Sequence, residues 1–103
     1  MADPMKIRAN LVGDSTEVKV LMSHEMDTGL VKDKAGKIIP AWWIQTVKVT
    51  HNDKVVLSAQ WGTAVSKNPF MSFKFKGGAK GDKVTITWVD NHNDSRTDTA
   101  VIA

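Results

Sequence analysis

SKNPFMSFKFKGGAKGDKVTITWVD, residues 66–90, decides the fold. Met71, Phe73 and Phe75 alternate with Ser72, Lys74 and Lys76; beyond a glycine-rich turn, Val84, Ile86 and Trp88 alternate with Thr85 and Thr87. Period two on both sides of a turn predicts two strands that each bury one face, and so a sheet with one side against a core. Nothing in the stretch has the spacing of a catalytic centre.

The same alternation extends outward. Ile7, Ala9 and Leu11 alternate with Lys6, Arg8 and Asn10, and Val18, Val20 and Met22 alternate with Glu17 and Lys19, with Gly13-Asp14-Ser15 as the turn between them. Seven strands are predicted, at roughly 5–12, 16–23, 41–51, 55–62, 69–76, 83–90 and 96–102, with residues 24–40 a long polar connection ending at Pro40. No window sustains a 3.6-residue period, and no repeat or linker divides the chain. The expectation is a single all-β domain over residues 1–103, an immunoglobulin-like antiparallel β-sandwich without the cysteine pair of antibody domains.

One hairpin carries an internal conflict. A two-residue turn at Asn52-Asp53 would set Val47 and Val49 on the opposite face from Val55, Leu57, Ala59 and Trp61. One bulge, or a longer loop, near residues 51–55 would bring all six to a common face.

The 103 residues are enough to bury a core, and at this size about 65% of the unfolded chain's surface is lost on folding. The absence of cysteine removes thiol catalysis, disulfides, thiolate zinc sites and blue-copper sites together. No apolar run reaches membrane-helix length, and MADPMKIRANLVGD lacks the apolar core of a signal peptide, so taken alone the chain reads as cytoplasmic. Of the 14 basic residues, Lys74, Lys76, Lys80 and Lys83 lie on or beside one hairpin with only Asp82 among them. They are either a solvated surface or a patch that steers an anionic partner. Without interleaved exposed aromatics or tyrosine, nucleic acid is a poor candidate partner.

Adjacent side chains on a strand point to opposite faces, so Trp42 and Trp43 cannot both enter one core. Either one packs inside while the connection of residues 24–40 covers the other, or the outward tryptophan belongs to a protein interface. Phe70, out of phase with Met71, Phe73 and Phe75, is a second interface anchor on the same reading, whereas Trp61 and Trp88 read as core. His24, His51 and His92 stand far apart, so a metal site would have to be assembled by the fold. Ser23-His24 is no nucleophile and base pair, since neighbours on an extended chain face apart. GGAKGD at 77–82 joins two strands rather than opening a helix, so its glycines serve turn geometry.

LMSHEMDTG at 21–29, KDKAGKIIPA at 32–41, LSAQWG at 57–62, VSKNPF at 65–70 and FKGGAKGDKVTITWVDN at 75–91 together resemble the SoxZ family, in one consistent order along the chain. The resemblance implies an immunoglobulin-like sandwich with no catalytic residues and no cofactor. It implies the smaller subunit of the SoxYZ heterodimer of thiosulfate oxidation, whose partner SoxY carries sulfur on the cysteine of a flexible glycine-rich arm. It also implies transient contacts with other Sox enzymes and a periplasmic location reached by co-export with a signal-bearing SoxY. Asp53 and Asn93 stand where glycine is common in such turns, and Trp42-Trp43 replaces a mixed histidine and aromatic pair. Two other classes fit the same strand pattern: a histidine-liganded metal redox domain and a homodimeric binding module. Superoxide reductases are the nearest analogue of the former, but they use a cysteinate and more histidines than this chain has.

Overall fold

In a computed structural model, residues 3–103 are described, and they form seven strands. These are β1 (Lys6–Val12), β2 (Ser15–Leu21), β3 (Ile44–His51), β4 (Lys54–Gln60), β5 (Phe70–Lys76), β6 (Lys83–Asp90) and β7 (Ser95–Val101). They pair antiparallel into a three-stranded sheet, β1-β2-β5, and a four-stranded sheet, β4-β3-β6-β7. The predicted immunoglobulin-like sandwich is thus the observed one.

Alternation places the core between the sheets. Val18 and Val20 of β2, Val47 and Val49 of β3, and Val84, Ile86 and Trp88 of β6 are buried, and Ile7, Leu11, Met71, Phe73 and Phe75 pack against them. Trp61 is half-buried against the same cluster.

The conflict in the β3–β4 hairpin is resolved by a bulge. Asn52 and Asp53 both have positive φ (46° and 69°), the sign pattern of a two-residue type I′ turn. The register then shifts between Thr50↔Val55 and Val49↔Leu57, leaving Val56 as the extra residue. Leu57 and Ala59 come to the side of Val49 and Val47, as the alternation requires. Val55 does not join them: it lies before the bulge, opposite Thr50, and stays exposed while Val56 turns inward. A second bulge leaves Gln45 unpaired between Ile44↔Asp90 and Thr46↔Val89. It makes Ile44 and Val47 both buried although three residues apart.

The sandwich closes along a seam between its first and last strands. Met5 N–H donates to Asp98 Oδ2 at 2.9 Å, Ala103 N–H to the Ala9 carbonyl at 2.9 Å and Leu11 N–H to the Ala103 carbonyl at 3.3 Å. On β7 the inward positions are Arg96, Asp98 and Ala100, and Arg96 pairs with Asp98 through two hydrogen bonds of 3.0 and 2.9 Å. Inward charge on an edge strand discourages pairing with a further chain.

The connection of residues 24–40 is not wholly polar or unstructured. Bridges Asp27↔Trp42 and Lys32↔Ile38 give it a short hairpin, from which Leu30, Val31 and Ile38 project into solvent.

Candidate functional site

The chemistry of the chain concentrates at the pole where β2, β6 and the segment of residues 41–43 meet. Asp90, the last residue of β6, continues the inward phase of Val84, Ile86 and Trp88, so the alternation drives a carboxylate into the interior. A buried carboxylate needs donors on each lone pair. Its Oδ2 accepts from His24 Nε2 at 3.0 Å and Trp42 Nε1 at 2.7 Å; its Oδ1 accepts from the backbone N–H groups of His92 and Asp94, both at 2.9 Å. Burial pushes the Asp90 carboxyl up, but the hydrogen bonds from His24, Trp42 and the two backbone amides outweigh it and hold the group below the ordinary carboxylate value.

His24 is fixed as firmly. Met26 N–H donates to His24 Nδ1 at 3.0 Å, so Nδ1 is the acceptor and the ring proton sits on Nε2, aimed at Asp90. Its ring meets Trp42 and Trp88 edge-on at 5.1 and 5.2 Å, and Trp42 stacks on His92 at 5.1 Å and 6°. Both ring nitrogens are committed to structure, so neither is free to abstract a proton or ligate a metal. Among the described residues no group of three or more His, Cys, Asp or Glu side chains converges as a metal site would require.

Trp42 and Trp43 are both absorbed by the fold. Trp42 is the lid of the Asp90 cluster. Trp43 packs against the core, donates from Nε1 to the Trp61 carbonyl at 3.2 Å, and its backbone is clasped by Asn91. Phe70 is different: it is 62% exposed, at the start of β5 on the outer face of the three-stranded sheet. Its cross-strand partner Leu21 is exposed beside it.

The four hairpin lysines are split between locations. Lys74 and Lys76 lie on the outer face with Phe70, Lys74 within 3.8 Å of Glu17; Lys80 is in the β5–β6 turn and Lys83 begins β6 in the other sheet. On the Phe70 face they are joined by Lys6, Arg8 and Lys19, in the outward phase of β1 and β2. The sequence reading saw those three residues only as the polar half of an alternation. Combining the outward phase of three strands would have shown the cationic face. The Asp90 cluster also has a signal in the sequence, a carboxylate in the inward phase of β6.

His51 lies at the opposite pole, 2.7 Å from Asp82 Oδ2 and against the Phe75 ring. Hydrogen bonds from His51 and Asn52 hold the Asp82 carboxyl below its ordinary value.

These features define an immunoglobulin-like β-sandwich whose buried histidine is structural and whose three-stranded sheet presents an apolar and cationic outer face. The chain belongs to the SoxZ family, the sulphur oxidation protein SoxZ, whose family model matches residues 5–101. Membership places it in the sulphur oxidation system. No curated protein sequence matches the chain. Among solved structures it is similar to a superoxide reductase in the oxidized state, with 15% identity, a TM-score of 0.67, and coverage of 99% of this chain and 89% of that one. It is also similar to the superoxide reductase (neelaredoxin) from Archaeoglobus fulgidus, with 19% identity, a TM-score of 0.59, and coverage of 97% and 86%. At such identities the likeness is one of fold.

Proposed function

We propose that the chain is the non-catalytic subunit of a sulfur-carrier heterodimer. It binds and stabilises a SoxY-type subunit and helps present that subunit's cysteine-bound sulfur intermediates to the other Sox enzymes. The observation that carries this reading is the SoxZ family match across residues 5–101. Surface chemistry supports it: Leu30, Val31, Ile38, Leu21 and Phe70 are large apolar side chains left in solvent, a composition suited to protein contact. Of the three aromatics expected at an interface, Phe70 makes the contact, while Trp42 and Trp43 hold the shape of the pole behind it. Lys74 and Lys76, with the other cations of their face, speed encounter with an acidic partner, and Lys80 and Lys83 act from the opposite pole.

Co-expression with a SoxY-type subunit tests the reading. A stable one-to-one complex by solution mass is the expected result. A lone chain that ignores this subunit, and instead binds metal stoichiometrically or pairs with itself, overturns it. The complex is periplasmic, the chain being carried out folded and bound to its signal-bearing partner. Recovery of the chain in the cytoplasm while SoxY is exported would refute that location.

A further inference from the structure

Three cavities join into one furrow that runs from the Asp90 pole onto the outer face of the β1-β2-β5 sheet. The first, about 190 Å3, opens beside His24, Trp42 and Trp88 and is rimmed by Asp3, Glu25 and Asp94. The second, about 180 Å3, shares Ser23 and Asn68 with it. The third, about 410 Å3, shares Lys6 and Leu21 with the second and is bordered by Arg8, Lys19 and Phe70.

Strand register orders the sheet end into rows. Lys6, Leu21 and Phe70 stand side by side in the row nearest the pole, and Arg8, Lys19 and Ser72 form the next. Cross-strand neighbours are about 5 Å apart, so Leu21 and Phe70 make one apolar platform and Arg8 and Lys19 one doubly positive step behind it. Lys19 lies 3.5 Å from Glu17, while Lys6 and Arg8 have no ion-pair partner among the described residues. At the pole end the sign reverses, with three carboxylates of which Glu25 is paired to Lys67 at 3.2 Å. Trp88, which lines this end, has a buried Nε1–H with no acceptor among the described residues.

We infer that the furrow holds an extended segment of the partner subunit. Its acidic side chains lie over Lys6, Arg8 and Lys19, an apolar side chain rests on Leu21 and Phe70, and a basic side chain reaches Asp3, Glu25 and Asp94. An extended chain fits because charges of opposite sign occupy the two ends of one narrow path, with the apolar platform between them. Alternating side chains about 6.6 Å apart match the spacing of successive rows. The assignment rests on the partner-binding reading above and adds to it which surface is used and what chemistry is recognised.

The test is calorimetric titration of the purified SoxY-type subunit into the wild-type chain and three variants, at low and moderate salt. The variants are the triple Lys6→Glu, Arg8→Glu, Lys19→Glu; Phe70→Ser; and Lys48→Glu on the outer face of the other sheet. The expected results are a loss of about 30-fold or more in affinity for the triple variant with a flattened salt dependence, about 10-fold for Phe70→Ser, and no change for Lys48→Glu. A photo-crosslinking residue at position 70 should capture a partner segment containing Asp or Glu. Equal affinity across all variants overturns the furrow while leaving the heterodimer intact. Absence of a complex with the wild-type chain overturns both. Self-association abolished by Phe70→Ser would assign the furrow to a second copy of this chain instead.

Discussion

At the scale of single residues, Asp90 carries the most. Four donors meet the four acceptor positions of one carboxylate, two of them side chains from segments 66 and 48 residues away in sequence. Asp90→Asn keeps the shape but turns one acceptor into a donor facing other donors. It should destabilise the fold by about 2–4 kcal/mol, read from urea unfolding, without abolishing a folded state. The carboxyls of Asp90, Asp82 and Asp98 all sit below their ordinary value, Asp98 chiefly through its hydrogen bonds with Arg96. A depressed carboxyl contributes stability that is complete above the unfolded pKa and lost as pH falls through the folded one. The thermal midpoint should therefore be insensitive to these groups above about pH 4 and fall below it. In Asp90→Asn that acid-side fall should be shallower; an identical pH profile would remove Asp90 from the account. His24 was legible as a histidine without a sequence neighbour, but not as half of a buried pair, because only the packing of β2 against β6 supplies its carboxylate.

Among elements, the strands were readable to within a few residues because each buries one face, and the exceptions mark where local pattern and sheet register disagree. Val56 is the clearest case. Pattern alone demanded a shift somewhere near the turn, yet whether it fell before or after Val55 depends on the ladder, and the tight turn at Asn52-Asp53 settled it by pairing Thr50 with Val55. Asp53 and Asn93 hold left-handed backbone, at φ 69° and 62°, in turns whose residue type was flagged in the sequence. Asp53→Gly should raise stability by about 0.5–1 kcal/mol, visible as a higher melting temperature. Gly78 behaves oppositely. At φ 97° a Cβ there would collide with Thr16 Oγ1 and press on Ile102, so Gly78→Ala should cost about 2 kcal/mol or more. A melt unchanged by Gly78→Ala would show that the β5–β6 turn can relax away from Thr16. The projecting hairpin with Leu30, Val31 and Ile38 was read from sequence only as a polar connection, since three aliphatics spread over nine residues carry no period.

For the molecule as a whole, the decisive property is an uneven surface on an elongated body of 52 × 21 × 20 Å. Cations collect on the three-stranded sheet, whereas the middle of the outer face of β6 and β7 is a neutral ladder of Thr85–Thr99 and Thr87–Thr97 pairs. Reversing Lys74 and Lys76 to Glu should slow association with an acidic partner several-fold at low salt and leave the dissociation rate nearly unchanged, by stopped-flow measurement. Unchanged association rates would show that these two lysines are merely solvated. The faces themselves were present in the alternation; their grouping was not, because strand order, β1-β2-β5 against β4-β3-β6-β7, joins residues that the chain keeps far apart.

The seam between β1 and the C-terminal end also fixes when this molecule can exist. Met5 and Asp98, joined across it, are separated by 93 positions, so β1, although it pairs locally with β2, cannot close the sandwich until β7 is in place. Such non-local closure makes the last step of folding slow, on the order of milliseconds to seconds. Until that last pairing the free edge of β1 stays open, so closure of the seam ends the interval in which a foreign strand competes with the C-terminal end for it.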